Sequence, residues 1–102
     1  MDRPEDYDSL TTLDISCRRL IELPFWVSEC KNLKELNCES NIFTQLDNLP
    51  QKLKGLNCSK NSIIQLDKLP DTLETLYCYN NPLKYDFEPT LENIRNYINQ
   101  NK

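Results

Sequence analysis

The sequence contains no histidine, and none of its five cysteines lies in a Cys-x-x-Cys pair. Histidines and closely spaced thiols are the usual protein ligands of zinc, and histidine is the most frequent general base of enzymes. We therefore expect a chain without a metal, a cofactor or a catalytic site.

The sequence also lacks an excess of basic residues and any long apolar segment. It has 12 basic and 16 acidic residues, and the basic ones are scattered, whereas nucleic-acid binding usually needs a positively charged face. No apolar run approaches the roughly 18 residues of a membrane span, and the first residues lack the basic and apolar regions of a signal peptide. We expect no nucleic-acid or membrane partner, and a cytoplasmic, reducing location in which the cysteines stay thiols.

The strongest feature of the sequence is a repeat with a period of 20 residues. Cys38, Cys58 and Cys78 keep this interval, and so do the asparagines that follow each of them by three positions. An exact period of this length is typical of solenoid proteins. An earlier unit begins 23 residues before the second, so that the four units read LTTLDISCRRL from Leu10, LKELNCESNIF from Leu33, LKGLNCSKNSI from Leu53 and LETLYCYNNPL from Leu73.

From about Leu10 to Leu83 these units resemble the leucine-rich-repeat consensus L-x-x-L-x-L-x-x-N-x-L. The connections at 46–53 and 66–73, which read Leu-Asp-x-Leu-Pro-x-x-Leu, resemble the short repeats of bacterial effector proteins. The many cysteines and asparagines are also similar to those in repeat proteins of bacteria and giant amoebal viruses. The resemblance implies an α/β fold: a right-handed leucine-rich-repeat solenoid of about four repeats, with a short parallel sheet on its concave face and a C-terminal capping helix.

The expected organisation is an N-terminal arm at 1–9, repeats at 10–84 (10–32, 33–52, 53–72 and 73–84) and a C-terminal cap at 85–102. Apolar residues at helical spacing, with Glu88 or Thr90 as the N-cap, predict a helix over about 89–100 that covers the last repeat. Pro24 favours a helical turn in the first return segment, whereas Pro50 and Pro70 favour extended returns in which Leu49 and Leu69 are buried.

Alternation along each strand predicts which side chains point into the core. Cys38, Cys58 and Cys78 are expected to be buried there as small apolar residues, Cys30 to be buried under the first return segment, and Cys17 to be exposed. The resemblance implies that Asn41, Asn61 and Asn81 form a structural asparagine ladder. Arg18 takes this position in the first unit, where the ladder is expected to be broken or to face solvent.

The residues that point out of the sheet form three columns, and these hold the candidate binding residues. We consider Tyr77 and Tyr79 the best anchors, because tyrosine combines a large apolar area with a hydroxyl group. Alternatively, they are surface aromatics that only stiffen the last strand. The columns are Thr12, Glu35, Gly55 and Thr75; Asp14, Asn37, Asn57 and Tyr77; and Ser16, Glu39, Ser59 and Tyr79. Six of these residues are predicted to bind the partner: Tyr77, Tyr79, Asn57, Asn37, Glu39 and Glu35.

Phe25 and Trp26 are a second candidate patch, because related repeats usually carry polar residues at these convex positions. Either the N-terminal arm folds over them, or they form an exposed patch that contacts a partner.

The function that these features favour is a non-catalytic protein–protein interaction module that binds a partner on the concave face. One alternative is a self-assembling structural unit that pairs through an exposed N-terminal edge, as a weak homodimer. A second alternative is an accessory fragment of a larger effector or enzyme.

Overall fold

The computed structural model describes residues 1–101. Four short strands, one from each predicted unit, form a single parallel sheet in the order β1-β2-β3-β4, and a C-terminal helix follows. This arrangement confirms the predicted α/β solenoid with a parallel sheet and a C-terminal helix. The elements are β1 (Thr12–Asp14), a 3-10 helix (Phe25–Glu29), β2 (Glu35–Asn37), β3 (Gly55–Asn57), β4 (Thr75–Tyr77) and α1 (Leu91–Gln100).

The register of the sheet matches the sequence period, including the longer first unit. Leu13 pairs with Leu36, Leu36 with Leu56, and Leu56 with Leu76, so equivalent positions stack directly over one another. The parallel ladder continues past the strands, because the amides of Cys38 and Cys58 donate to the carbonyl oxygens at 57 and 77. Stacking in exact register is what buries one apolar position of each unit against the next.

The cysteines divide as predicted between the core and the surface. Cys30, Cys38 and Cys58 are fully buried, Cys78 is almost so, and Cys17 is exposed. Burial raises the pKa of the Cys38 thiol from 9.0 to about 12 and raises that of Cys58 well above 9.0. The buried thiols therefore serve as small apolar side chains in the stack.

We expect the free energy of unfolding to fall as the pH rises above about 9. The pKa of the Cys38 thiol is 9.0 in the unfolded chain and about 12 in the folded chain. Its contribution to the free energy of unfolding is therefore complete below pH 9 and declines as the pH rises toward 12. At about pH 10 this thiol alone lowers the free energy of unfolding by roughly 1 kcal/mol relative to pH 7, and Cys58 acts in the same direction.

Urea unfolding of the reduced protein between pH 7 and pH 10 measures this slope. Cys38→Val should have a shallower slope, while Cys17→Ser, which removes the exposed thiol, should keep the original one. Equal slopes in the original chain and in Cys38→Val would contradict the assignment.

The asparagine ladder joins consecutive repeats where the chain leaves each strand. The Oδ1 atoms of Asn41, Asn61 and Asn81 accept from backbone amides of the preceding repeat, and their Nδ2 atoms donate to carbonyl oxygens of both repeats. The ladder prediction is confirmed, and Arg18 faces solvent in the first unit. The residue before each ladder asparagine has a left-handed backbone, which makes the turn sharp: φ is 56° at Ser40, 57° at Lys60 and 59° at Asn80.

The return segments follow the proline pattern. The first forms a 3-10 helix that Pro24 precedes, and its Val27 and Cys30 side chains are fully buried. The second and third contain neither a helix nor a strand, and Leu49 is buried as predicted. Leu69 is only half-buried, because the element beside it is a helix rather than another return segment, and a cleft stays open between them.

Helix α1 closes the C-terminal end of the core, which confirms the predicted cap. Its N-cap is Thr90, whose Oγ1 accepts from the Asn93 amide at 3.1 Å, and Ile94 is fully buried. Arg95 anchors the helix, because its Nη2 donates to three backbone carbonyl oxygens of the last return, at Pro70, Asp71 and Leu73. No helix in residues 1–101 is long and apolar enough to cross a membrane.

The C-terminal end of the core also contains an aromatic cluster that was not predicted from the sequence. Tyr85 stacks on Phe87 with ring centroids 4.8 Å apart and meets the ring of Tyr97 edge-on at 5.3 Å. The Tyr85 hydroxyl donates to the carbonyl oxygen of Leu66 and accepts from its amide. The segment between the last repeat and α1 is therefore held against the preceding repeat.

Candidate functional site

The outer surface of the sheet, here called the concave face, carries the predicted columns. Pairing aligns Thr12, Glu35, Gly55 and Thr75 in one row and Asp14, Asn37, Asn57 and Tyr77 in the next. These eight residues line an open groove of about 410 Å³ that crosses all four strands. Of the six predicted binding residues, Glu35, Asn37, Asn57 and Tyr77 line the groove. Glu39 and Tyr79 do not line it and lie two residues beyond the ends of β2 and β4.

Three side chains in the second row are held in place by the backbone. Asp14, Asn37 and Asn57 each accept a hydrogen bond through Oδ1 from the amide two residues later, at 2.9, 3.1 and 3.1 Å. Hydrogen bonds from Ser16 hold the pKa of Asp14 below its ordinary value, and the charge of Arg18 adds a smaller effect in the same direction. These bonds fix the orientation of the Asn37 and Asn57 amides, and their Nδ2 groups, which donate to no protein atom within residues 1–101, are available to a bound group.

The chain's single glycine lies in the first row of the groove. A Cβ atom at Gly55 would overlap the carboxylate of Glu35, so the Glu35 side chain lies across the neighbouring strand. Gly55 is buried beneath it, while Glu35 itself is exposed. The glycine therefore provides the space into which the Glu35 carboxylate extends over the sheet.

The third row differs from its prediction at one position. Ser59 was expected to point outward with Glu39 and Tyr79, but it is fully buried, and its Oγ has no hydrogen-bond partner. The serine side chain is shorter than the two residues that flank it on the neighbouring strands, so it does not reach the surface between them.

Tyr77 and Tyr79 stand at the C-terminal end of the concave face. Their side chains are 52% and 57% exposed, and the rings meet edge-on with centroids 6.3 Å apart. Offset or edge-on pairs hold aromatic rings in a defined orientation. Together the two rings present a large, ordered apolar surface next to the polar groove.

The second candidate patch requires a correction, because its two residues lie on different sides of the chain. Phe25 is 73% exposed, whereas Trp26 is only 1% exposed and is part of the core. Consecutive residues of a 3-10 helix point about 120° apart, so only one of them faces solvent. The alternative in which both rings form one exposed patch is therefore wrong, and only Phe25 faces solvent.

The N-terminal arm covers Trp26. The indole Nε1 donates to the carbonyl oxygen of Met1 at 3.2 Å. Arg3 lies over the Tyr7 ring at 4.2 Å and pairs with Glu29 at 2.7 Å. These contacts correspond to the alternative in which the arm folds over this end of the solenoid.

Four further residues of the outward columns line the same groove, although they are not among the predicted binding residues: Thr12, Asp14, Gly55 and Thr75. The period of 20 residues could have identified them, since it places them in the same rows as Glu35, Asn37 and Asn57. Within residues 1–101, no group of three or more His, Cys, Asp or Glu side chains is placed to hold a metal ion.

Comparison with known proteins identifies the repeat. The family model described as Leucine Rich repeats (2 copies) matches residues 8–51. No curated protein and no solved structure matches the chain. Beyond the matched residues, β3 and β4 continue the register of β1 and β2 without a break. The matched residues are therefore similar to leucine-rich repeats, and the sheet register carries the same repeat through β4.

Proposed function

We propose that this chain is a non-catalytic interaction module that binds a partner protein on its concave face. Repeats of this family are generally protein–protein interaction modules and are typically non-catalytic. The observation that supports the concave face is the groove over all four strands, which two exposed tyrosines border at one end.

The proposed contacts combine an aromatic anchor with an ordered polar surface. Tyr77 and Tyr79 supply apolar area at a low entropic cost, because the two rings already pack against each other. Asn37 and Asn57 supply oriented amide donors to backbone carbonyl groups of the partner. Glu35 and Glu39 supply charge along the same surface.

Affinity capture tests this proposal. The chain is immobilised, proteins retained from a cell lysate are identified by mass spectrometry, and the affinity for the main one is then measured after its purification. The double change Tyr77→Ala and Tyr79→Ala should weaken binding by about 30-fold or more, since hot-spot residues contribute about 2 kcal/mol or more. The tyrosines lie outside the core, so circular dichroism should show an unchanged fold.

The matched control is the double change Ile42→Ala and Ile64→Ala, which removes two similarly exposed apolar residues outside the strands. It should leave capture intact, and retention of the partner by the tyrosine variant would overturn the concave-face proposal. Recovery of only second copies of the chain would instead support the self-assembling unit, for which the outer edge of β1 is the candidate surface.

A further inference from the structure

The concave face has an uneven charge. Its three columns contain the carboxylates Asp14, Glu35 and Glu39 and no lysine or arginine, although the whole chain contains 12 basic residues. The basic side chains therefore lie at the strand ends, on the return segments and in the terminal segments, and the sheet surface is purely acidic and neutral.

Two of these carboxylates have no compensating partner within the described part of the chain. The ion pairs in residues 1–101 join Arg3 with Glu29, Lys54 with Glu74 and Lys68 with Asp47, and none of them includes a residue of the three columns. Asp14 accepts a hydrogen bond from the Ser16 amide, and the positive charge of Arg18 lowers its pKa. The carboxylates of Glu35 and Glu39 have neither an ion pair nor a hydrogen bond within residues 1–101. Glu35 lies on β2, and Glu39 lies two residues after it.

The position of Glu35 makes it accessible to a docked group. Its carboxylate lies over Gly55, where no side chain blocks approach from above, and Tyr77 lines the same groove. The Glu35 carboxylate attracts a cation electrostatically, and an aromatic ring two strands away lines the same groove. Adjacent strands are about 4.8 Å apart, so the four strands span about 14 Å, which a short peptide segment covers.

We infer that the segment docked on the concave face, given the partner binding proposed above, is a basic segment of the partner protein. Its lysine or arginine side chains pair with Glu35 and Glu39, while its apolar part packs on Tyr77 and Tyr79. Charge complementarity of this kind accelerates association and excludes acidic partners.

A fluorescein-labelled peptide of about twelve residues that alternates arginine with serine tests this inference, since it spans the whole face. A second peptide has glutamine in place of each arginine. Fluorescence anisotropy measures affinity, and amide chemical shifts measured by NMR locate the contact. We expect the arginine peptide to bind and to shift amides of β1 to β4, and the affinity to fall when the salt concentration rises from about 0.05 M to 0.3 M.

The double change Glu35→Gln and Glu39→Gln should weaken binding of the arginine peptide about tenfold, because it keeps side-chain size and removes both charges. The double change Glu22→Gln and Glu88→Gln is the matched control, because it removes two exposed carboxylates that line no part of the groove. It should alter the affinity less than about twofold.

Equal weakening by both pairs of changes would overturn the inference, since binding would then depend only on net charge. The inference would also be overturned if the arginine and glutamine peptides bound with equal affinity. If that binding were lost on changing Tyr77 and Tyr79, the concave face would still be the binding surface. If the peptide does not bind but a partner is captured through Tyr77 and Tyr79, only the basic segment is rejected. If both experiments fail, the proposed function is rejected as well.

Discussion

Replacing Trp26 with alanine is expected to lower the free energy of unfolding by about 3–5 kcal/mol. The indole is 1% exposed, lies among the buried residues of the core, and donates a hydrogen bond to Met1. Removal therefore leaves a large cavity at the N-terminal end of the stack and also releases the arm that covers it. In a small domain with a total stability of about 5–15 kcal/mol, this loss is a substantial fraction.

Phe25→Ala is the matched control, because the neighbouring ring is 73% exposed. It should change stability by less than about 0.5 kcal/mol. Urea unfolding followed by circular dichroism measures both variants, since Trp26 is the only tryptophan and its fluorescence is lost on substitution. Similar stabilities of the two variants would contradict the assignment of Trp26 to the core.

Replacing Asn41 with alanine is expected to lower the free energy of unfolding by about 3–4 kcal/mol, the second large effect. Its Oδ1 accepts from the amides of Arg18 and Leu20, and its Nδ2 donates to the carbonyl oxygens of Ile15, Cys38 and Glu39. Asn41 is itself buried, so several of these backbone groups would lose their partner where water has little access.

Thermal or urea unfolding measures this effect, and Asn96→Ala is the control, because Asn96 is exposed on α1. The control should change stability by less than about 0.5 kcal/mol. Asn41→Asp should also be destabilising at neutral pH, since it places a carboxylate against three carbonyl oxygens. An Asn41→Ala variant as stable as Asn96→Ala would show that water replaces the ladder at no cost.

The repeat, the buried cysteines and the asparagine ladder could be predicted because each position recurs in several units. A residue that recurs every 20 positions has the same environment each time, so Cys38, Cys58 and Cys78 all occupy the core. The cap was also predictable, because the apolar spacing around Ile94 is that of an amphipathic helix.

The features that occur once were not predictable in the same way. Phe25 and Trp26 are both large and apolar, and only the direction of each side chain on the 3-10 helix separates the core residue from the exposed one. Arg95 and Tyr85 contact backbone groups of the third return segment, across 19 to 25 residues of sequence. No local pattern encodes such contacts, because they depend on where the C-terminal segment packs.

The 20-residue period is enough to predict the architecture of this protein and the rows of side chains on its concave face. A period of 20 residues with alternating strands leaves little choice over which side chains share a row. Only the tertiary structure decided what each row presents: Glu35 extends over Gly55, Ser59 is hidden between longer neighbours, and Trp26 lies beneath the N-terminal arm. The physical reason is that exposure depends on the size and direction of the neighbouring side chains, which come from different repeats and from the terminal segments.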